Sequence, residues 1–134
     1  MKKGDRFVFT FVVDNKTYNG FISVFNDENP LHTDDQYARE KGFAERVMHG
    51  NILNGFLSYF IGELLPFKNI IIHSQSIQYK NPVYLDDELF FEAKVEEVYE
   101  SVGAMELAFS FRNAKRNQIC AKGKIQIGIL NKKN

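Results

Sequence analysis

The longest hydrophobic pattern in the chain runs from Gly50 to Leu65 and has the period of an α-helix. Its apolar residues recur every three or four positions, which predicts a wide apolar face. They are Ile52, Leu53, Phe56, Leu57, Phe60, Ile61, Leu64 and Leu65. The opposite side carries a small-residue stripe made of Asn51, Asn54, Gly55, Ser58 and Gly62. Pro66 follows directly and ends the pattern, so we predict a largely buried central helix.

Most of the remaining chain alternates apolar with polar residues, which is the two-residue period of β-strands. The segments with this pattern are 7–13, 17–24, 70–79, 89–95, 104–111 and 119–129. Asp14, Asn15 and Lys16 favour a turn, so the first two segments are predicted to form a hairpin. The last four segments predict a mostly antiparallel sheet with one apolar face.

A short helix is predicted over residues 34–41. Thr33 and Gln36 match a capping box, in which each side chain satisfies an N–H group at the start of the helix. Gly42 is a suitable terminator. The long apolar helix and the strands together predict an α+β fold, with a curved antiparallel sheet wrapped around the central helix. The length of 134 residues suits a single domain spanning 1–134.

Charge and composition then limit the function classes. Lys+Arg and Asp+Glu number 17 each, so the chain lacks the basic excess of a nucleic-acid-binding protein. The zero net charge also removes the self-repulsion that opposes self-association. Cys120 is the only cysteine, which excludes an intramolecular disulfide and favours a reducing, cytoplasmic location. Without an uninterrupted apolar run of membrane-spanning length, no membrane partner is expected.

The candidate chemistry begins at Asp27 and His32, an acid and an imidazole on either side of Asn29-Pro30. Asn-Pro favours a rigid turn, which can hold two proton-transfer groups facing one point. Histidine titrates near neutrality, and a neighbouring carboxylate can share its proton transfers or fix its tautomer. The alternative is that Asp27 only caps the turn and His32 is an ordinary histidine.

A second candidate feature is the start of the central helix at His49-Gly50. The first N–H groups of a helix lack intrahelical partners and favour negative charge, so this end can stabilise an oxyanion. The alternative is a glycine that merely permits a turn, a histidine used in packing, and a Ser58 bonded to its own helix. The histidines and Cys120 do not have ligand-like spacing, so we expect no metal site.

Three parts of the chain match a known family: the run Asp27-Glu28-Asn29-Pro30-Leu31-His32, the run Val47-Met48-His49-Gly50, and the helix that carries Ser58. Together they resemble the MaoC-like (R)-specific enoyl-CoA hydratases, which have the hotdog fold. The resemblance implies a lyase for reversible hydration of 2-enoyl thioesters or dehydration of (R)-3-hydroxyacyl thioesters.

The resemblance also implies roles for individual residues. Asp27 and His32 would be the catalytic dyad. The resemblance does not indicate which of the two activates the water. The substrate-binding and oxyanion residues would be Asn29, His49, Gly50 and Ser58. No metal or redox cofactor is implied, since coenzyme A or acyl carrier protein arrives as part of the substrate. A homodimer or higher homo-oligomer is expected, with close approach of helices along the small-residue stripe.

The chain departs from the family pattern just before the dyad. Phe25-Asn26 stands where the family usually has Ser or Thr followed by Gly. Asn tolerates positive φ better than most residues, so Asn26 is predicted to replace the backbone role of that glycine. Phe25 adds bulk, and Met48 is larger than the family's usual residue, so both are expected to affect the acyl chain accepted.

Two alternative functions remain open at this point. One is a hotdog acyl-CoA thioesterase, for which Glu63 is the only acid inside the central helix. Glu63 lies at the far end of that helix from Gly50, which disfavours this alternative. The other is a non-catalytic acyl-thioester-binding subunit, which the intact Asp27/His32 pair disfavours.

Overall fold

The computed structural model describes residues 1–131 and contains one five-stranded antiparallel sheet. Its strands are β1 (Arg6–Val12), β2 (Ile70–Tyr79), β3 (Glu88–Tyr99), β4 (Ala104–Asn113) and β5 (Gln118–Ile129). Their order across the sheet is β1-β3-β4-β5-β2, so β1 and β2 form the two edges. The strands predicted over 70–79, 89–95, 104–111 and 119–129 are confirmed, and the last three extend beyond the predicted bounds.

The helical elements lie between β1 and β2, apart from one short 3₁₀ turn at Glu100–Val102. They are α1 (Asn15–Phe25), α2 (Pro30–Thr33), α3 (Asp35–Glu40) and α4 (Asn51–Tyr59), and α4 continues into a π-helical turn at Phe60–Leu64. The N–H of Leu65 donates to the carbonyl of Phe60 over 3.2 Å, five residues back, which closes this wider turn. None of these helices has the length and apolar character needed to cross a membrane.

The predicted hairpin over 7–13 and 17–24 is wrong, because its second arm is helix α1. Asp14 is the N-cap of this helix, and its carboxylate accepts from the N–H of Thr17 at 2.9 Å. Turn-favouring residues also favour helix caps. The run Asp14-Asn15-Lys16 was therefore compatible with a hairpin turn and with the start of a helix. Tyr18, Phe21 and Ile22 lie on the core side at helical spacing, which the alternating interpretation overlooked.

The short helix α3 is confirmed, but its predicted capping box is wrong. Asp34, rather than Thr33, accepts the N–H at the start of the helix, from Tyr37 over 3.2 Å. The hydroxyl of Thr33 instead donates to backbone carbonyls of the preceding loop. Gly42 adopts φ +96° just after the helix, in agreement with its predicted role as terminator.

The core lies between α4 and the concave face of the sheet. Leu57 and Phe60 are completely buried there, and the ring of Phe60 packs on Phe91 with centroids 4.8 Å apart. Phe56 of the same helix stacks on Phe11 of strand β1 at 4.7 Å. Burying side chains of this size contributes on the order of 2 kcal/mol each. Packing between the helix and the sheet is therefore a large contribution to the stability of the fold. The predicted α+β layout of a sheet around a central helix is confirmed.

Candidate active site

Hydrogen bonds fix both ends of the loop that joins α1 to α2. Asn26 ends α1 in the left-handed conformation, with φ 60° and ψ 25°, and its N–H donates to the carbonyl of Ile22. Four residues later Pro30 begins α2, whose N-cap Asn29 accepts from the N–H of Leu31 at 3.0 Å. Asp27 therefore projects from a short segment that is fixed at both ends.

Asp27 and His32 face each other across this loop. Oδ2 of Asp27 lies 3.9 Å from Nε2 of His32. Oδ1 of Asp27 also accepts from the N–H of Asn29 at 3.3 Å, so Asp27 both caps the turn and faces His32. The Asp27–His32 separation exceeds a direct hydrogen bond but allows one water molecule to bond both groups.

The tautomer of neutral His32 follows from its second nitrogen. Nδ1 of His32 lies 2.7 Å from the backbone carbonyl of Val47, which can only accept a hydrogen bond. Nδ1 therefore carries the proton, and the lone pair is on Nε2, the nitrogen that faces Asp27. Val47 is itself held by a bond from its N–H to the carbonyl of Leu31 at 2.9 Å. His32 thus presents a proton-accepting atom toward the carboxylate.

His49 lies behind the dyad and is almost completely buried, with 3% of its surface exposed. Its Nε2 donates to the backbone carbonyl of Asp27 at 2.8 Å. Its ring stacks on the His32 ring, with centroids 4.0 Å apart and planes 28° apart. Burial lowers the pKa of His49 below its ordinary value of 6.5, and the neighbouring His32 lowers it further. His49 is therefore neutral at neutral pH.

The start of α4 contributes unpaired backbone donors next to the dyad. Gly50 precedes the helix without a side-chain cap, and within residues 1–131 the N–H groups of Gly50 and Asn51 donate no hydrogen bond. A Cβ atom on Gly50 would lie 2.8 Å from the ring of Tyr79. A side chain at position 50 would therefore require the Tyr79 ring to move. Asp27, His32, His49 and Gly50 all border one cavity of about 540 Å³, together with apolar side chains from the same region.

Two of the predicted site residues lie elsewhere. The structure places Asn29 at the cap of α2, where it supports the loop but does not border the 540 Å³ cavity. Ser58 is exposed on α4, two turns beyond Gly50, and also lies outside the border of that cavity. The structure thus brings Asp27, His32, His49 and Gly50 to one cavity and leaves Asn29 and Ser58 outside its border.

A second, more open cavity of about 1230 Å³ lies between α1 and α4. Asp27 borders both cavities, so they meet at the dyad. The walls of the second cavity are mostly apolar and include Phe21, Phe25 and Phe56. Phe25 packs against Phe21 at 4.9 Å and is 66% exposed. The bulk of Phe25 is therefore in this apolar groove rather than in the dyad cavity, whereas Met48 is buried at the border of the dyad cavity.

Some contributors to the site were not predicted. The carbonyl of Val47 sets the His32 tautomer, yet a backbone atom leaves no side-chain signal in the sequence. The hydroxyl of Tyr18 donates to the carbonyl of His32, and Tyr18 was missed because its segment was assigned to a strand. Helical spacing of Tyr18, Phe21 and Ile22 was the signal that could have identified it.

Asp27, His32 and His49 offer donor atoms that lie within 4.8 Å of one another, a spacing compatible with a metal cluster. The ring geometry opposes this assignment. Lone pairs of imidazole lie in the ring plane, and the two rings are stacked face to face. A single ion cannot lie in the planes of both rings without moving one of them. The ring arrangement therefore disfavours coordination of one ion by both histidines.

Residues 5–110 match the family model described as the MaoC like domain. The chain belongs to the MaoC-like family. It is 36% identical over 75 residues to an (R)-specific enoyl-CoA hydratase of Aeromonas caviae, covering 56% of this chain and 56% of that protein. It is 33% identical over 89 residues to a mitochondrial 3-hydroxyacyl-[acyl-carrier-protein] dehydratase of Arabidopsis thaliana, covering 66% of this chain and 52% of that protein. The MaoC-like chain spans about half the length of these curated relatives.

The solved structures agree with the family assignment. An unliganded R-hydratase from Pseudomonas aeruginosa matches with a TM-score of 0.86 and 26% sequence identity, over 98% of this MaoC-like chain and 84% of that one. The hotdog fold predicted from the sequence is confirmed by this match.

Proposed function

We propose that this MaoC-like protein is a lyase that reversibly hydrates 2-enoyl thioesters or, in the opposite direction, dehydrates (R)-3-hydroxyacyl thioesters. The observation that carries the proposal is the lone pair of His32 Nε2, which faces the Asp27 carboxylate at 3.9 Å beside the unpaired N–H of Gly50. Addition of water across a conjugated double bond needs a proton acceptor, a proton donor and a site for negative charge on the thioester oxygen.

The proposed reaction uses a water molecule held between Asp27 and His32. One of the two groups accepts a proton from this water as its oxygen bonds to C3 of the substrate. The C2–C3 π electrons then move onto the thioester, and the enolate oxygen is stabilised by the N–H of Gly50 at the start of α4. The dyad returns one proton to C2, so the protein ends in its initial protonation state. Dehydration follows the same steps in reverse.

The cavities support an acyl thioester as the substrate class. The apolar groove between α1 and α4 meets the dyad cavity at Asp27, so an apolar chain can extend from the reaction centre along apolar side chains. Coenzyme A or acyl carrier protein would arrive attached to the substrate, and the reaction requires no metal or redox cofactor. The (R) configuration of the product follows from the relatives' names and is part of the proposal.

A hotdog thioesterase is the alternative reaction, and it requires a carboxylate that can activate water at the start of the helix. Glu63, the acid inside the predicted helix, lies in the π-helical turn at the opposite end from Gly50. Its carboxylate is exposed and pairs with Lys68 at 3.1 Å. This position disfavours hydrolysis of the thioester.

Incubation of the purified protein with crotonyl-CoA and longer 2-enoyl-CoAs tests the proposal. Hydration removes the absorbance of the conjugated thioester without releasing thiol, and chiral chromatography of the product should give the (R) isomer. Release of free thiol without hydration would favour the thioesterase instead. Absence of both activities with CoA and carrier-protein thioesters would favour a non-catalytic acyl-thioester-binding subunit.

We further propose that the protein assembles as a homodimer, with strand β2 as the interface in place of the small-residue stripe expected from the sequence. This edge strand has ten residues, and Ile71 and Ile72 on it are 47% and 39% exposed. An exposed apolar edge is a template for pairing with another strand, and the zero net charge does not oppose association. A cytoplasmic location, expected from the single cysteine, is likewise proposed.

A further inference from the structure

His49 is a buried polar side chain beside the dyad that has no task in the proposed reaction. We propose that His49 is a positioning residue, a neutral imidazole that fixes the main chain of Asp27 and supports the ring of His32 from behind. The inference rests on the proposed function, because His49 would hold Asp27 and His32 in the relative position that the reaction needs.

The first supporting contact runs from His49 to the backbone of the acid. Nε2 of His49 donates to the carbonyl of Asp27 at 2.8 Å, while the N–H of Asn29 holds Oδ1 of the same residue at 3.3 Å. The carboxylate is about half exposed and would otherwise be free to rotate with its loop. These two bonds fix Asp27 from its backbone and from its side chain, and leave Oδ2 directed at His32.

The second contact is the face-to-face stack on His32 at 4.0 Å. The ring of Phe21 also packs on His49, at 4.6 Å, so both neighbours restrict its rotation. When His32 accepts a proton, its positive charge develops against the π face of a neutral ring, which is a favourable contact. If His49 were protonated as well, two like charges would lie 4.0 Å apart between ring centroids and oppose the reaction.

Burial, more than any facing group, disfavours the protonated form of His49. Besides the dyad, the titratable neighbour is Tyr18, whose ring centroid is 5.9 Å away and whose other contacts include the guanidinium of Arg46. Burial and the proximity of His32 lower the pKa of His49, and these effects outweigh the raising effect of Asp27. Protonation of His49 is thus disfavoured.

The environment of Nδ1, the second ring nitrogen of His49, distinguishes a positioning role for this residue from a purely structural role. Nδ1 is buried and has no hydrogen-bond partner within residues 1–131. An unsatisfied buried polar atom opposes folding, so an apolar ring of similar shape would suit this position better if stability were its only purpose. The structure therefore retains an imidazole at the expense of stability.

Two variants test the two contacts separately. His49→Phe keeps an aromatic face against His32 but removes the donor to Asp27, whereas His49→Gln keeps an amide donor and removes the stacked ring. We expect each to lower kcat for enoyl-CoA hydration by about 10- to 100-fold, with KM changed by less than about threefold, because misplaced catalytic groups slow the chemical step. His49→Phe should melt at or above the wild-type temperature, and Glu28→Gln, an exposed neighbour in the loop, should behave as wild type.

NMR of ¹⁵N-labelled imidazoles supplies a readout that does not depend on activity. We expect His49 to carry one proton, on Nε2, at neutral pH in wild type and in Glu28→Gln. The proposal is overturned if both His49 variants keep kcat within about twofold of wild type, or if His49 is protonated at neutral pH. An inactive wild type would remove the proposed function, and the NMR measurements would still decide the placement of His49.

Discussion

At the scale of single residues, the backbone of Asn26 determines where the acid of the dyad points. Asn26 is one of three non-glycine residues with positive φ in the part of the chain that the structure describes, and it directly precedes Asp27. The predicted replacement of the family's glycine by Asn26 agrees with its φ of 60°. Asparagine adopts this conformation more readily than other non-glycine residues, so the turn is kept without glycine's flexibility.

Substitution of Asn26 tests this account of the turn. Asn26→Ala should reduce the free energy of unfolding by about 1 kcal/mol, since a Cβ without a local hydrogen-bonding group disfavours positive φ. Asn26→Gly should remain close to wild type in stability. Chemical denaturation of both variants provides the measurement. Equal stability of the alanine and glycine variants would show that the left-handed conformation is not required.

The lowered pKa of His49 predicts a pH dependence of stability. As the pH falls through the ordinary value of 6.5, the unfolded chain gains a proton at His49 that the folded protein does not bind. The free energy of unfolding should therefore decrease toward acid pH, and this contribution should be present in full above the ordinary value. Denaturation midpoints between pH 5 and 8 should show a smaller decrease in His49→Phe than in wild type; identical curves would contradict the assignment.

At the scale of elements, helix α4 contributes both to the hydrophobic core and to one end of the candidate site. Its apolar face is buried under the sheet, and its first turn delivers the unpaired N–H of Gly50 to the cavity. Gly50 meets the ring of Tyr79, whereas Gly62 in the last turn has open space around the position of a Cβ atom. The absence of a side chain therefore avoids a clash with Tyr79 at Gly50, whereas a Cβ atom at Gly62 would clash with nothing within residues 1–131.

This difference gives a matched pair of substitutions. Gly50→Ala places a methyl group against Tyr79 beside the proposed oxyanion site, so kcat/KM for hydration should fall by about tenfold or more. Gly62→Ala should keep the activity and raise the free energy of unfolding by up to about 1 kcal/mol, because alanine favours helix over glycine. Steady-state kinetics and chemical denaturation of both proteins make the comparison. Full activity of Gly50→Ala would remove Gly50 from the site.

Elements with a long and regular pattern could be predicted from the sequence. The central helix and the strands after residue 70 have apolar periods that only one arrangement satisfies. Helix α1 was mistaken for a strand, because its segment has β-branched residues, follows the turn-favouring Asp14 and is only partly buried, although Tyr18, Phe21 and Ile22 have helical spacing. The change to a π-helical turn at Phe60–Leu64 also has no local signal in the sequence.

For the candidate site, the sequence indicated the chemical groups but not their connections. Asp27, His32, His49 and Gly50 were all selected, and the structure brings them to one cavity. The contacts that define their states are made to backbone carbonyls, at Val47 for His32 and at Asp27 for His49. Any residue type provides a carbonyl, so these bonds depend on the fold and could not be predicted.

At the scale of the whole molecule, the two edges of the sheet have different properties. Strand β1 is seven residues long, and β2 is ten residues long with mostly exposed side chains. Val8 on β1 and Ile72 on β2 are both exposed apolar residues on edge strands. The proposed dimer uses only β2, so equivalent changes on the two edges should have different consequences.

Ile72→Lys should convert the protein to a monomer, because a charged side chain on an edge strand opposes pairing with a second strand. Val8→Lys is the control and should leave the oligomeric state unchanged. Size-exclusion chromatography with light scattering determines the mass of each protein. A wild type that is monomeric at micromolar concentration, or a dimer that survives Ile72→Lys and dissociates with Val8→Lys, would contradict the proposed interface.

The most direct test of the whole account compares wild type, Asp27→Asn and Glu28→Gln in the hydration of a 2-enoyl-CoA. Asparagine keeps the shape of Asp27 and its turn but removes the charge beside His32. Since a general acid–base group contributes about 10²–10⁴-fold, kcat/KM should fall at least about a hundredfold in Asp27→Asn, with unchanged thermal stability. Glu28→Gln should remain as active as wild type. Equal rates in wild type and Asp27→Asn would show that the Asp27/His32 pair does not catalyse the reaction.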